Sequence, residues 1–200
     1  MTPHERYGQT VSSDILIHEL GHTVVGHELG ILEGGIQLCD PATGELARAH
    51  FSIKGTTRKA RIARGLGGAY AQAKIRPNDL PEGLPEQILD GSVFSSHADH
   101  IEAGTVPEIV AYAGFSGDWQ SVIRVAHETA QNVSEIVEEL ESAHRCLAVI
   151  FQDRQLEKKI LRAMTDFETW LDQHDDDIPF MPMLIYPATR LIEVLNGIQV

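Results

Sequence analysis

The 200-residue chain is short of several things, and each shortage excludes something. Basic residues are scarce: 16 Lys and Arg face 29 Asp and Glu, for a formal net charge of −13. That balance argues against nucleic acid or an anionic membrane as partner, because both repel an acidic surface. Only two cysteines occur, Cys39 and Cys146, far apart and without a CxxC pair. A disulfide scaffold is thereby excluded, and a reduced, cytoplasmic protein is the simplest expectation. Long apolar runs are missing too. The longest is Cys146–Phe151, far below the roughly 20 residues that span a bilayer. The first residues, Met-Thr-Pro-His-Glu-Arg, lack the basic-then-apolar order of a signal peptide. Aromatics make up only 6%, yet an apolar fraction of 42% is that of an ordinary globule with a real core.

Against this background one pentad stands out: His18-Glu-Leu-Gly-His22. On a helix the two histidines lie one turn apart on the same face. Two imidazole nitrogens can then reach one metal ion at about 2.0–2.1 Å each, a zinc distance. Glu19 leans over the same position, where it can take a proton from water activated by the metal. The flanks Leu16, Ile17, Thr23, Val24 and Val25 are uncharged and contain no proline. Burying three polar residues among such neighbours requires a reason, and ligation supplies one. The alternative is two surface histidines beside a glutamate on an amphipathic helix.

The length suits one domain, with a core over about 10–172 and a tail from about 173 to the end. The first helix is expected to start near Ser12 or Ser13, with Asp14 in its first turn, and to stop at Gly30. Ile36–Cys39, the turn residues Asp40–Gly44 and the alternating stretch Leu46–Ile53 read as a small β-hairpin or meander. Thr57–Ile75 is helical, with Gly65, Gly67 and Gly68 allowing another element to approach closely. The proline-containing stretch Arg76–Pro85 is a loop, and helical pieces follow around 85–100 and 105–113. Apolar positions from Trp119 to Leu140 recur at steps of three and four, predicting one long helix over 117–142. Another helix is expected between Ala143 and Leu171. Asp175–Asp177 is a solvated acidic run, and Pro179–Pro187 is either a strap over the core or a contact surface for another subunit. The fold class is mainly α (α+β).

A catalytic zinc needs three protein ligands and one open position. The metzincin pattern wants a third histidine six residues after the second and a glycine three residues after it, but Glu28 and Val25 stand there. His27 therefore decorates the helix end. Glu45 lies at the distance of the glutamate ligand in a gluzincin, yet falls in a turn. Ser96-His-Ala-Asp-His100 concentrates three potential ligands, and also suits a polar loop or helix start. Asp118, in Gly114-Phe-Ser-Gly-Asp118, falls in the first turn of a helix that Ser116 can cap. There a carboxylate stabilises the helix by itself, so ligation and capping both account for it.

In order and content these pieces resemble the zinc peptidase domain of the FtsH-type ATP-dependent metalloproteases. The resemblance rests on His18-Glu-Leu-Gly-His-Thr-Val-Val-Gly26, a short β segment, Gly67-Gly-Ala-Tyr-Ala71 on a helix, and Ser116-Gly-Asp118 opening another. It spans roughly residues 10–172 and includes two terminal helices. It implies a helical zincin-like peptidase, with His18, His22 and Asp118 as zinc ligands and Glu19 as general base. It also implies a peptide or unfolded protein substrate, a strand near Leu46–Ile53 that aligns it, and a tendency to homo-oligomerise. The chain departs from the family in carrying Gln72 where a glutamate is usual and in a long linker before Ser116. The pentad starts at residue 18, so no ATPase module precedes it, and a separate ATPase is the implied partner for folded substrates. Two other classes stay open: a metal-binding scaffold or regulatory protein without catalysis, and a metal hydrolase for a non-peptide amide or ester.

Overall fold

Ser13–Glu28 forms the first helix, α1, in a computed structural model that describes residues 13–39, 47–51, 55–153, 155–173 and 183–197. Leu16, Ile17, Leu20, Val24 and Val25 are all essentially inaccessible, and Gly21, Thr23 and Gly26 are buried between them. A helix whose apolar side chains are this deeply buried belongs inside a core. It stops where Gly30 takes a φ of 67°. The amide of Ile31 bonds back to the Gly26 carbonyl at 2.8 Å and that of Gly30 to His27 at 2.9 Å, the pairing that closes a Schellman-type terminus. Both ends match the sequence expectation.

Two compact units make up the chain: Met1–Ser52 with Arg154–Val200, and Ile53–Asp153. In the first unit α1 packs against a three-stranded sheet. Its strands are β1 (Leu32–Cys39), β2 (Ala47–Phe51) and β3 (Met183–Tyr186). The order is β2-β1-β3, with both pairings antiparallel. Ile36, fully buried, faces Ala49 on one side and Tyr186 on the other. The expected hairpin is present, with its turn outside the described residues. The apolar end of the tail contributes the third strand, while Asp175–Asp177 lies outside the described residues.

Helix α9 (Leu156–Gln173) covers α1 with a stripe of Leu156, Ile160, Ala163, Met164, Phe167, Trp170 and Leu171, at steps of three and four. The last helix, α10 (Ala188–Leu195), closes the unit through buried Leu191, Val194 and Leu195. Tyr186 sits among Phe167 and Trp170, with ring centroids 5.1 and 5.3 Å away.

The second unit is helical and centres on α2 (Arg58–Ile75), capped by the Thr57 side chain. Four short helices follow, α3 (Leu84–Asp90), α4 (Ser92–Ser96), α5 (Ala98–Ala103) and α6 (Glu108–Tyr112). Then come α7 (Ser116–Ala126) and α8 (Val133–Ile150), both packed on α2. The close approach expected of the α2 glycines occurs at Gly65, where a Cβ would stand 2.6 Å from Val122 Cγ1.

The long helix expected over 117–142 is two helices, and α8 runs on through Ala143 to Ile150. The helix expected from Ala143 to Leu171 accordingly begins only at Leu156. The cause of the first break is a cap. The Asn132 side chain accepts from the Glu135 amide at 3.0 Å, while the Glu135 carboxylate accepts from the Gln131 amide at 2.7 Å. These reciprocal bonds satisfy amides a new helix leaves unpaired, so starting afresh at Val133 competes with continuing from Ala126. The mainly α (α+β) class expected from the sequence is the one observed.

Candidate metal centre

Helix α1 carries His18, Glu19 and His22 on adjoining positions of one surface. The Nε2 atoms of His18 and His22 point at each other across 3.0 Å. Two nitrogens at about 2.0–2.1 Å from one tetrahedral ion stand roughly 3.3 Å apart, so the pair needs only a small rotation to share an ion. The rings are nearly perpendicular, 86° between planes with centroids 4.7 Å apart. Glu19 completes the group, with one ligand atom from each residue within 4.8 Å of the others. Among the described residues this is the one set of three histidine, cysteine or carboxylate side chains so gathered. The donors, two imidazoles and a carboxylate, suit zinc and neighbouring divalent ions.

Burial raises the stakes for this group. Glu19 is 9% exposed and His22 8%, while His18 is half-buried. Thr23 fastens the backbone beneath them by donating its hydroxyl to the Glu19 carbonyl at 2.7 Å. That bond follows from the i, i+4 placement of a threonine, a signal present in the sequence.

Asp118 belongs to the second unit, in the first turn of α7 as expected. Ser116 does not cap that helix: Phe115 is the N-cap residue, and no side chain bonds there. The helix begins one residue earlier than a cap at Ser116 requires, so Ser116 is already inside it. Asp118 is half-buried near Arg64. Burial pushes the Arg64 guanidinium below its ordinary value, and the Asp118 charge opposes that shift. Asp118 also borders an apolar cavity lined by Leu66, Phe94 and Trp119.

The other ligand candidates fall out differently. Glu45 lies outside the described residues. His97, Asp99 and His100 occupy the α4–α5 junction, where the two histidine rings stand 5.8 Å apart and His100 Nδ1 lies 3.0 Å from Thr105 Oγ1. They do not converge as a ligand set. Burial, followed by the neighbouring His100, pushes the His97 imidazole below its ordinary value. His27 ends the helix beside Glu28, with Nδ1 to Oε1 at 3.6 Å, and takes no part in the group.

Two polar features were not anticipated. Asp166 on α9 accepts from Tyr186 Oη at 2.6 Å and from Arg190 Nε and Nη2 at 2.7 and 2.9 Å. His144, buried on α8, places Nε2 3.0 Å from the Ile88 carbonyl. Neither carries a short-range sequence signal, since their partners lie at separations of 20, 24 and 56 residues.

The site and fold together define a mainly helical α+β protein with an HExxH helix built into its core. No protein-family model matches the chain, and no curated protein or solved structure matches it significantly. No helix among the described residues is long and apolar enough to cross a membrane.

Proposed function

We propose that the chain is a zinc-dependent metallopeptidase that acts on peptides or unfolded protein segments. The observation that carries this reading is the convergence of His18 and His22 Nε2 at 3.0 Å with Glu19 beside them. A divalent zinc ion held there would act as a Lewis acid and lower the pKa of water from 15.7 toward about 7. In this reading His18 and His22 bind through neutral imidazole nitrogens. Glu19 accepts the proton of the attacking water and returns it to the leaving amine. The third ligand implied by the resemblance to FtsH-type peptidases is Asp118, an assignment that rests on sequence order. Strand β2, at the edge of the sheet, offers backbone groups on which an extended peptide could be aligned. The acidic net charge of −13 disfavours nucleic acid as substrate. A cytoplasmic location, a separate ATPase partner and modest homo-oligomerisation belong to the same reading.

A second reading has its own support. Glu19 and His22 are 9% and 8% exposed, a burial that also suits a structural metal in a scaffold or regulatory protein. Two measurements separate the readings: zinc content by mass spectrometry, and hydrolysis of a quenched fluorescent peptide library. Glu19→Gln is expected to retain zinc and to lose hydrolysis. Stoichiometric zinc with no hydrolysis in the unaltered protein would establish the scaffold, and absence of zinc binding would overturn both.

A further inference from the structure

Between Pro77 and Ile123, a stretch of 47 residues in the second unit, stand eight carboxylates and no lysine or arginine. All of the eight except Asp118 are exposed. Glu86 and Asp90 lie four residues apart on α3, and Asp99 and Glu102 three apart on α5, so each pair shares one face of its helix. Asp79 and Glu82 precede α3, and Glu108 opens α6. Helix α3 packs on α4, and α4 on α5. Among the described residues none of these exposed carboxylates forms an ion pair. Helix α2 differs: Arg58 pairs with Glu139, Arg61 with Glu128, and Arg64 has the Asp118 charge beside it.

Helix electrostatics accounts for part of this pattern. Glu86, Asp99 and Glu108 each fall in a first turn, and Asp90 accepts from the Ser92 amide at 2.8 Å. It accounts neither for Glu82 and Glu102 nor for the absence of any cation over the whole stretch. Like charges one turn apart repel, and a cationic partner removes that cost. Tyr112 supplies an anchor. It is 85% exposed, more than any other large apolar side chain described, and stands one turn from Glu108 on α6. A tyrosine ring held in water gains by being covered, and its face attracts a cation. Ring and carboxylate on one helix face suit a guanidinium, which stacks on the first and hydrogen-bonds the second. Carboxylates spread over α3, α5, α6 and the turns before α3 call for several cations linked in one chain rather than one compact ion.

We propose that α3, α5 and α6 present a docking surface for an extended, arginine-rich segment of another protein, with Tyr112 and Glu108 holding one of its arginines. Neither metal at His18 and His22 nor catalysis enters into this binding.

The test is fluorescence anisotropy of the full chain with a labelled dodecapeptide of alternating arginine and glycine, and with its glutamine-for-arginine counterpart as control. At about 50 mM salt the arginine peptide is expected to saturate in the micromolar range and to weaken as salt rises. The glutamine peptide is expected not to bind. Tyr112→Ala should weaken binding about fivefold, Tyr112→Phe should retain it, and Glu108→Gln should weaken it about threefold. All three positions of change are on the surface, and thermal unfolding of each variant checks that the fold is kept. Glu168→Gln, which removes an exposed carboxylate from α9 in the other unit, should leave binding unchanged. Absence of saturable binding, unchanged binding in Tyr112→Ala, or equal losses in Glu108→Gln and Glu168→Gln would each overturn the proposal. Displacement of the peptide by equimolar spermine would do so too, because a small polyamine would then be the occupant.

Discussion

Tyr186 donates its hydroxyl to Asp166 at 2.6 Å, from the last strand of the sheet to the helix that covers α1. Arg190, in the first turn of α10, grips the same carboxylate through two nitrogens. Three residues from three elements thus hold the end of the described chain against the first unit. Neighbouring Arg190 and the Tyr186 hydroxyl hold the Asp166 carboxyl below its ordinary value, despite partial burial. Burial and the negative charge of Asp166 together push the Tyr186 phenol above its own.

A carboxylate with a depressed pKa contributes stability that is present above its unfolded value, about 3.9, and is lost as pH falls through the lower folded value. Asp166→Asn should therefore flatten the acid limb of the stability profile. At pH 7 it should cost about 1–3 kcal/mol, because it removes a charge-assisted acceptor from two donors. Urea unfolding between pH 2 and pH 7 checks both. Equal slopes in the variant and the unaltered protein would remove Asp166 from this role.

His144 acts in the same sense, over a higher range of pH. Burial lowers its imidazole below the ordinary value of about 6.5, outweighing the hydrogen bonds to the backbone of residues 88 and 89. Its folded form is neutral, so the unfolded chain binds the proton first. Stability should fall as pH drops below about 6.5 and continue to fall until the folded pKa is passed. His144→Gln, measured by thermal unfolding from pH 5 to pH 8, should lose that pH dependence. A variant that keeps the whole slope would place the titration elsewhere.

The Gly65 contact predicts a conditional effect. Gly65→Ala puts a methyl 2.6 Å from Val122 Cγ1 and should destabilise the second unit by about 1–3 kcal/mol, against the usual gain from helix propensity. Pairing it with Val122→Ala removes the opposing methyl. The double variant should then lose less than the sum of the two single costs. Strict additivity in denaturant titrations would show that the helices move apart freely.

For the metal centre the expected result is a linkage. Zinc at a hundred times its dissociation constant should stabilise the chain by about 2.7 kcal/mol. His22→Ala should abolish that increment. Calorimetry with and without a chelator measures the increment directly. An undiminished zinc effect in His22→Ala would dismiss the site.

Much of this was readable along the chain. The first helix announces itself by Ser13, by the apolar run around Leu20, and by Gly30, whose positive φ of 67° only glycine takes easily. The His18–His22 pairing follows from helical pitch alone. The break between α7 and α8 was also written down, in Asn132-Val-Ser-Glu135, but the apolar steps run through it unbroken and hide it. Periodicity reports which face is buried, whereas a cap reports where backbone amides find partners. The two signals disagree at Asn132, and the cap prevails.

What the sequence determined by itself is local: helix termini, the hairpin, and the juxtaposition of His18, Glu19 and His22 one turn apart. Tertiary structure decided what depends on distant residues meeting. It made Met183–Tyr186 the third strand, set Asp166 between Tyr186 and Arg190, and left a gap beside Trp119. The physical reason is that a helical turn brings neighbours together through covalent geometry. A strand edge, a carboxylate shared by two distant donors and a cavity exist only once separate elements have packed.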